Sequence, residues 1–168
     1  MTRTSAIAAF LGLLTIAVAA PTRASARIAD TATKCEPIDV RQVKVLFRHW
    51  NEALQDITAT KVVALYANDA TLLPTVENGP YTKTDGLKEY FVHFVERKPV
   101  ATVDETKRSI KIGCNVAYDI GLYSFEVNGE HTTNRETIRA RYTFIYKWDN
   151  GRWLIAHHHS SKQPLEPQ

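Results

Sequence analysis

The chain predicts an α+β fold: a curved antiparallel sheet, cone-shaped as a whole, wrapped over N-terminal helices. Three observations predict it. Apolar residues recur at three- and four-residue steps only between residues 39 and 96. After Pro99 the pattern changes to extended segments rich in β-branched and aromatic residues. Those segments are separated by turn residues, so they read as consecutive hairpins, and helices followed by hairpins form an α+β plan with helices on one sheet face.

The first helix starts after Asp39, with Val40, Val43, Leu46, Phe47, Trp50 and Leu54 on its apolar stripe. Asp39 suits the N-cap, and Gln42 completes a capping box. A second, short helix carries Val62, Val63, Leu65 and Tyr66. Asn68-Asp69 is expected to turn the chain into a short strand, Thr71 to Leu73, stopped by Pro74. A third helix is expected from about Thr84 to Glu96, capped by Thr84 or Asp85. Next, "TKRSIKIGCNVA" and "YDIGLYSFEV" are strand-like, with bends expected at Asn115 and Asp119. Asn128-Gly129 marks a hairpin, "TIRARYTFIYKW" alternates, and "DNG" turns into "RWLIAHHHSS". The proline-containing tail "KQPLEPQ" has little to bury and is expected to fray.

Residues 1–26 have the pattern of a secretory signal peptide rather than of folded structure. Arg3 precedes an apolar run from Ala6 to Ala20, and Ala17-Val18-Ala19 and Ala24-Ser25-Ala26 are candidate cleavage sites. Cleavage is expected to leave one domain over 27–168, periplasmic or secreted, with no stable membrane insertion. The alternative is an uncleaved membrane anchor. Removing the leader takes 21 basic against 18 acidic residues to 19 against 18. Such a balance makes no electrostatic case for nucleic acid. In an oxidising compartment Cys35 and Cys114 are expected to pair, the alternative being two buried thiols.

"FRHWNEALQDITATKVVALYANDATLLPT", "YFVHFVERKPV" and "GRWLIAHHHSS" resemble a known family. They look like the bacterial, exported relatives (SgcJ/EcaC-type) of the calcium/calmodulin-dependent protein kinase II association domain, in the nuclear-transport-factor-2-like superfamily. The resemblance spans about residues 36–162. It implies the cone-shaped fold, homo-oligomers built through the sheet, and a pocket lined by arginine and aromatic residues. It implies no particular reaction, since superfamily members include isomerases, dehydratases and cyclases as well as binders. A chain of 168 residues has no room for a kinase domain.

Strand alternation assigns the histidines. Trp153, Ile155, His157 and His159 are expected on one face, and Leu154, Ala156 and His158 on the other. Three consecutive histidines on a flat strand cannot converge on one ion, so no metal site is expected. Either they are satisfied at a subunit contact or against Trp153, or His157 and His159 belong to a pocket. One strand earlier, Arg135, Arg139 and Arg141 share a face, opposite Ile138, Tyr142, Phe144 and Tyr146. That row is either solvated or lines a cavity, where a guanidinium must meet a carboxylate or phosphate. With the family's pocket in mind, Arg139, Arg141, His157 and His159 are the candidate grips for a small anionic or polar molecule. Tyr66, Tyr81 and Tyr90 are candidate wall residues. No cofactor motif, nucleophile elbow or dinucleotide fingerprint occurs. The expected function is a self-associating, non-catalytic ligand-binding domain. The alternative is a pocket enzyme of isomerase, dehydratase or cyclase type with a histidine general base.

Overall fold

The computed structural model describes residues 34–83 and 85–164. Residues 1–33, which include the expected signal peptide, lie outside that range, as do Thr84 and residues 165–168. Helix α1, Val40–Ala53, starts at the expected capping box: Asp39 accepts from the Gln42 backbone, and the Gln42 side chain accepts from the Asp39 N–H. Helix α2 is Thr60–Ala64. Helix α3, Leu87–Glu96, begins later than expected. Its N-cap is Gly86, at φ 74°, rather than Asp85. The left-handed backbone there is open to glycine at little cost.

Seven strands follow or intervene: β1 Tyr66–Leu73, β2 Tyr81–Thr82, β3 Val100–Val103, β4 Ser109–Gly113, β5 Val116–Asn128, β6 Arg135–Asp149 and β7 Arg152–Lys162. They form one curved, unclosed sheet in the order β2-β1-β7-β6-β5-β3, with β4 also pairing to β5. All pairs are antiparallel except β1 with β7. Tyr66 and Asn68-Asp69, expected in a helix and a turn, are part of β1, whose pairing with β7 shifts register between Tyr66 and Thr71. The expected bend at Asp119 is absent, since β5 runs straight through it. Asn115 does turn the chain, at φ 57°. The Asn128-Gly129 hairpin has a six-residue loop, because Asn128 pairs with Arg135. The β6–β7 turn is Asn150-Gly151, both with positive φ, which matches the twist of the two long strands it joins.

The core lies between α1, α3 and the inner sheet face. Phe47 and Trp50 from α1 meet Phe125, Tyr142 and Phe144, forming a buried aromatic cluster. The face predicted to be greasy is therefore covered by helices. Cys35 and Cys114 form a disulfide, tying the segment before α1 to the β4–β5 turn.

Candidate functional site

A bulge in β7 decides where the three histidines point. Tyr146 pairs with Ile155, but Ile145 pairs with His157, so Ala156 is an extra residue. The parity reverses there. Trp153 and Ile155 lie opposite Trp148 and Tyr146 on the inner face, while His157 and His159 lie opposite Ile145 and Thr143 on the outer face. His158 and Ser160 point inward, opposite Phe144 and Tyr142. The expected grouping of Trp153 and Ile155 with His157 and His159 is thus corrected. A hint exists in the sequence, because Leu154-Ile155 places two buried apolar residues in succession. Nothing in the residue types marks Ala156 as the bulge.

His158, 3% exposed, completes a buried polar strip. Trp50 Nε1–H donates to Tyr66 Oη at 3.1 Å, and Tyr66 Oη lies 2.8 Å from His158 Nδ1. An indole N–H only donates. The tyrosine oxygen therefore accepts it, and the same oxygen shares a second hydrogen bond with the imidazole Nδ1. The ring stacks on Phe144, with centroids 4.0 Å apart. Tyr123 Oη donates to Ser160 Oγ at 2.6 Å, and Thr75 also bonds Ser160. Among the described residues His158 Nε2 and Tyr146 Oη are buried without a protein partner. Burial, reinforced by His157 and His159, pushes the His158 pKa down to about 3. In the unfolded chain the same ring takes its proton near pH 6.5. Stability is therefore complete above that value and is lost as pH falls toward 3. Unfolding at pH 7 and pH 5 should differ by about 2 kcal/mol from this group. His158→Gln should remove most of that difference, and a wild-type profile flat over this interval would refute the assignment.

The residues expected to line one pocket fall in three places. Arg139, Arg141, His157 and His159 do share a face, but it is the outer face of the sheet. Arg141 and His159 line a hollow of about 490 Å³ with Lys107, Ile120, Thr143 and Ser161. Arg139 lines a neighbouring one of about 330 Å³ with Asp104, Ser124 and Gln163. His157 is half-buried between them and β1, its pKa lowered by burial and then by His159. Tyr66 is wholly buried on the inner side, where it pairs with His158. Tyr81 of β2 stacks on Tyr90 of α3 at 5.7 Å, and Tyr90 continues onto Phe94. Tyr90 and Phe94 wall a third hollow, about 820 Å³, between α3 and the β5–β6 loop, together with Arg97, Glu136, Ile138 and Lys162. Asp69, expected at a turn, instead lies in β1 and accepts two exposed hydrogen bonds from Lys147 Nζ of β6.

A charged cluster escaped sequence reasoning. Asp119 is fully buried and takes both Arg108 Nε at 2.9 Å and Arg108 Nη2 at 2.6 Å. Tyr142 Oη donates to it at 3.0 Å. Arg108, whose side chain is 5% exposed, also reaches Glu105 and lies over the Phe47 ring. Burial opposes its charge, but the hydrogen bonds and charge of Asp119 win and raise its pKa. Asp119 shares the inward parity of Ala117, Tyr123 and Phe125, and that alternation was the available signal.

Comparison with known proteins places these features in context. The family model of the calcium/calmodulin-dependent protein kinase II association domain matches residues 39–164. A Xanthomonas campestris structure named for that association domain is 36% identical, covering 76% of this chain and 90% of its own, with a TM-score of 0.70. Two structures of nuclear-transport-factor-2-like proteins share the fold at 12% identity. The first, from Streptomyces avermitilis and carrying a dehydratase name, covers 76% of this chain and 98% of its own at a TM-score of 0.63. The second, from Salmonella enterica serovar Typhimurium, covers 76% and 92% at the same TM-score. No curated protein matches the sequence.

Proposed function

Since the chain belongs to the calcium/calmodulin-dependent protein kinase II association-domain family, we propose that it is an exported, non-catalytic domain that self-associates through the outer face of its sheet and holds a small ligand. One observation carries the association reading. Across β5, β6 and β7 the outer face is built of rungs, Tyr118–Ile145–His157, then Ile120–Thr143–His159, then Leu122–Arg141–Ser161. Tyr118 and Ile120 are 37% and 38% exposed, and among the described residues no helix covers them. A stripe of apolar and aromatic side chains bordered by polar ones suits contact with a second copy of the same face. Export is supported by the leader pattern of residues 1–26 and by the Cys35–Cys114 disulfide. Among the described residues no helix is long and apolar enough to cross a membrane. The hollow beside Tyr90 and Phe94 has the volume range of small-molecule sites and supports the ligand reading.

Ile120→Glu tests the association. Burying that side chain between copies is worth roughly 1.5–3 kcal/mol, so the variant should weaken self-association at least tenfold. Sedimentation velocity measures it, with the melting temperature as control. An unchanged mass distribution in a folded variant would remove this face from consideration.

A further inference from the structure

The hollow under Ile120 differs from the other two in its charge. Lys107 reaches it from the one-turn 3₁₀ helix Glu105–Lys107, Arg141 from β6 and His159 from β7. Ser161 and Thr143 add hydroxyls, and among the described residues no carboxylate lines it. Arg141 enters no ion pair among the described residues, and the hydrogen bond it makes, to the Lys162 carbonyl, is long at 3.4 Å. The nearby acidic side chains are engaged elsewhere. Glu105 meets Lys44 and Arg108, Asp119 meets Arg108, and Asp104 accepts from Thr106 in the adjoining hollow. Asp104 does interact electrostatically with Lys107, which offsets part of the excess. Three nitrogen-bearing side chains and two hydroxyls facing one concavity therefore offer donors with few internal acceptors.

We infer that the Lys107–Arg141–His159 hollow binds a small oxyanion, a phosphate group or a carboxylate, and that the bound anion strengthens self-association. The first half stands on the hollow alone. The second rests on the association reading above, because Arg141 and His159 belong to the same rungs as Leu122 and Ile120. Bringing two such faces together gathers like charges in a desolvating seam, which opposes docking. An anion in the seam neutralises them and satisfies the guanidinium with charge-assisted bonds. An anion that prefers the assembled state must favour assembly by linkage.

The full mature chain is titrated with inorganic phosphate and, in a second arm, succinate, against chloride at constant ionic strength. Calorimetry reads binding and sedimentation reads mass. Phosphate or succinate should bind the wild type, and the preferred anion identifies which oxyanion the site is built for. Lys107→Gln and Arg141→Gln should each weaken binding at least tenfold while leaving the melting temperature in chloride unchanged. The wild type should associate at least tenfold more tightly in the bound anion than in chloride, and the variants should lose that difference. Absence of binding by both anions, or equal binding by wild type and variants, overturns the site, while association that Ile120→Glu abolishes would leave the family reading intact. Binding by a wild type that stays monomeric in every buffer overturns the linkage and the association reading together, leaving the anion site standing.

Discussion

Asp119→Ala should destabilise the domain by about 3–5 kcal/mol, because it strands the Arg108 guanidinium in the interior. The whole stability of a domain of this size is about 5–15 kcal/mol, so the variant should be largely unfolded or close to it at physiological temperature. The cost arises from what remains. Arg108 would lose both bonds to the carboxylate and keep only Glu105, and Tyr142 would lose its acceptor. Removing both charges tells a different story. Arg108→Met with Asp119→Leu replaces the pair by apolar volume and should recover most of the loss, since a buried ion pair often costs as much to desolvate as it returns. Urea unfolding followed by tryptophan fluorescence measures both. A loss below about 1 kcal/mol in Asp119→Ala would mean that water reaches Arg108, contrary to its burial here.

Opening the disulfide should cost about 4 kcal/mol, the chain-entropy value for a loop closed across 79 residues. Cys35→Ser with Cys114→Ser should therefore lower the urea midpoint steeply, and reductant should do the same to the wild type but not to the variant. The bridge is one part of a clasp. The Glu36 N–H donates to Asn115 Oδ1 at 2.7 Å, and Asn115 Nδ2 donates to the Lys34 carbonyl at 3.2 Å. These bonds hold only if the segment before α1 is kept beside the β4–β5 turn. An unfolding midpoint indifferent to reductant would show that they suffice without the covalent link.

Much of this was legible because local physics and tertiary packing agree. Asp39 and Gln42 cap α1 through their own backbone neighbours, and Asn150-Gly151 turns two strands whose alternation already faces Tyr142, Phe144 and Tyr146 inward. The candidate site was legible in part. Arg139 with Arg141, and His157 with His159, share a face as their spacing predicts. Strand register and the Ala156 bulge part the histidines from Trp153 and Ile155 and bring the two pairs to the same outer face. Tyr66, Tyr81 and Tyr90 do not join them, because which side of a sheet carries the helices is not a property of a single strand. Asp119 was misread as a bend, since an aspartate among alternating residues resembles a turn until its arginine, eleven positions earlier, is seen across the sheet edge.

By itself the amino-acid order determined the helices-then-hairpins plan, the capping of α1, the turn at Asn150-Gly151 and the pairing of Arg139 with Arg141 on one face, because each depends on residues within a few positions of one another. Only the tertiary structure decided that this face looks outward, that Ala156 bulges and that His158 alone of the three histidines is buried. The bulge and the outward face come from β7 being paired with β6 on one side and parallel β1 on the other, with helices covering a single face. Those are non-local contacts, and no periodicity along one strand records them.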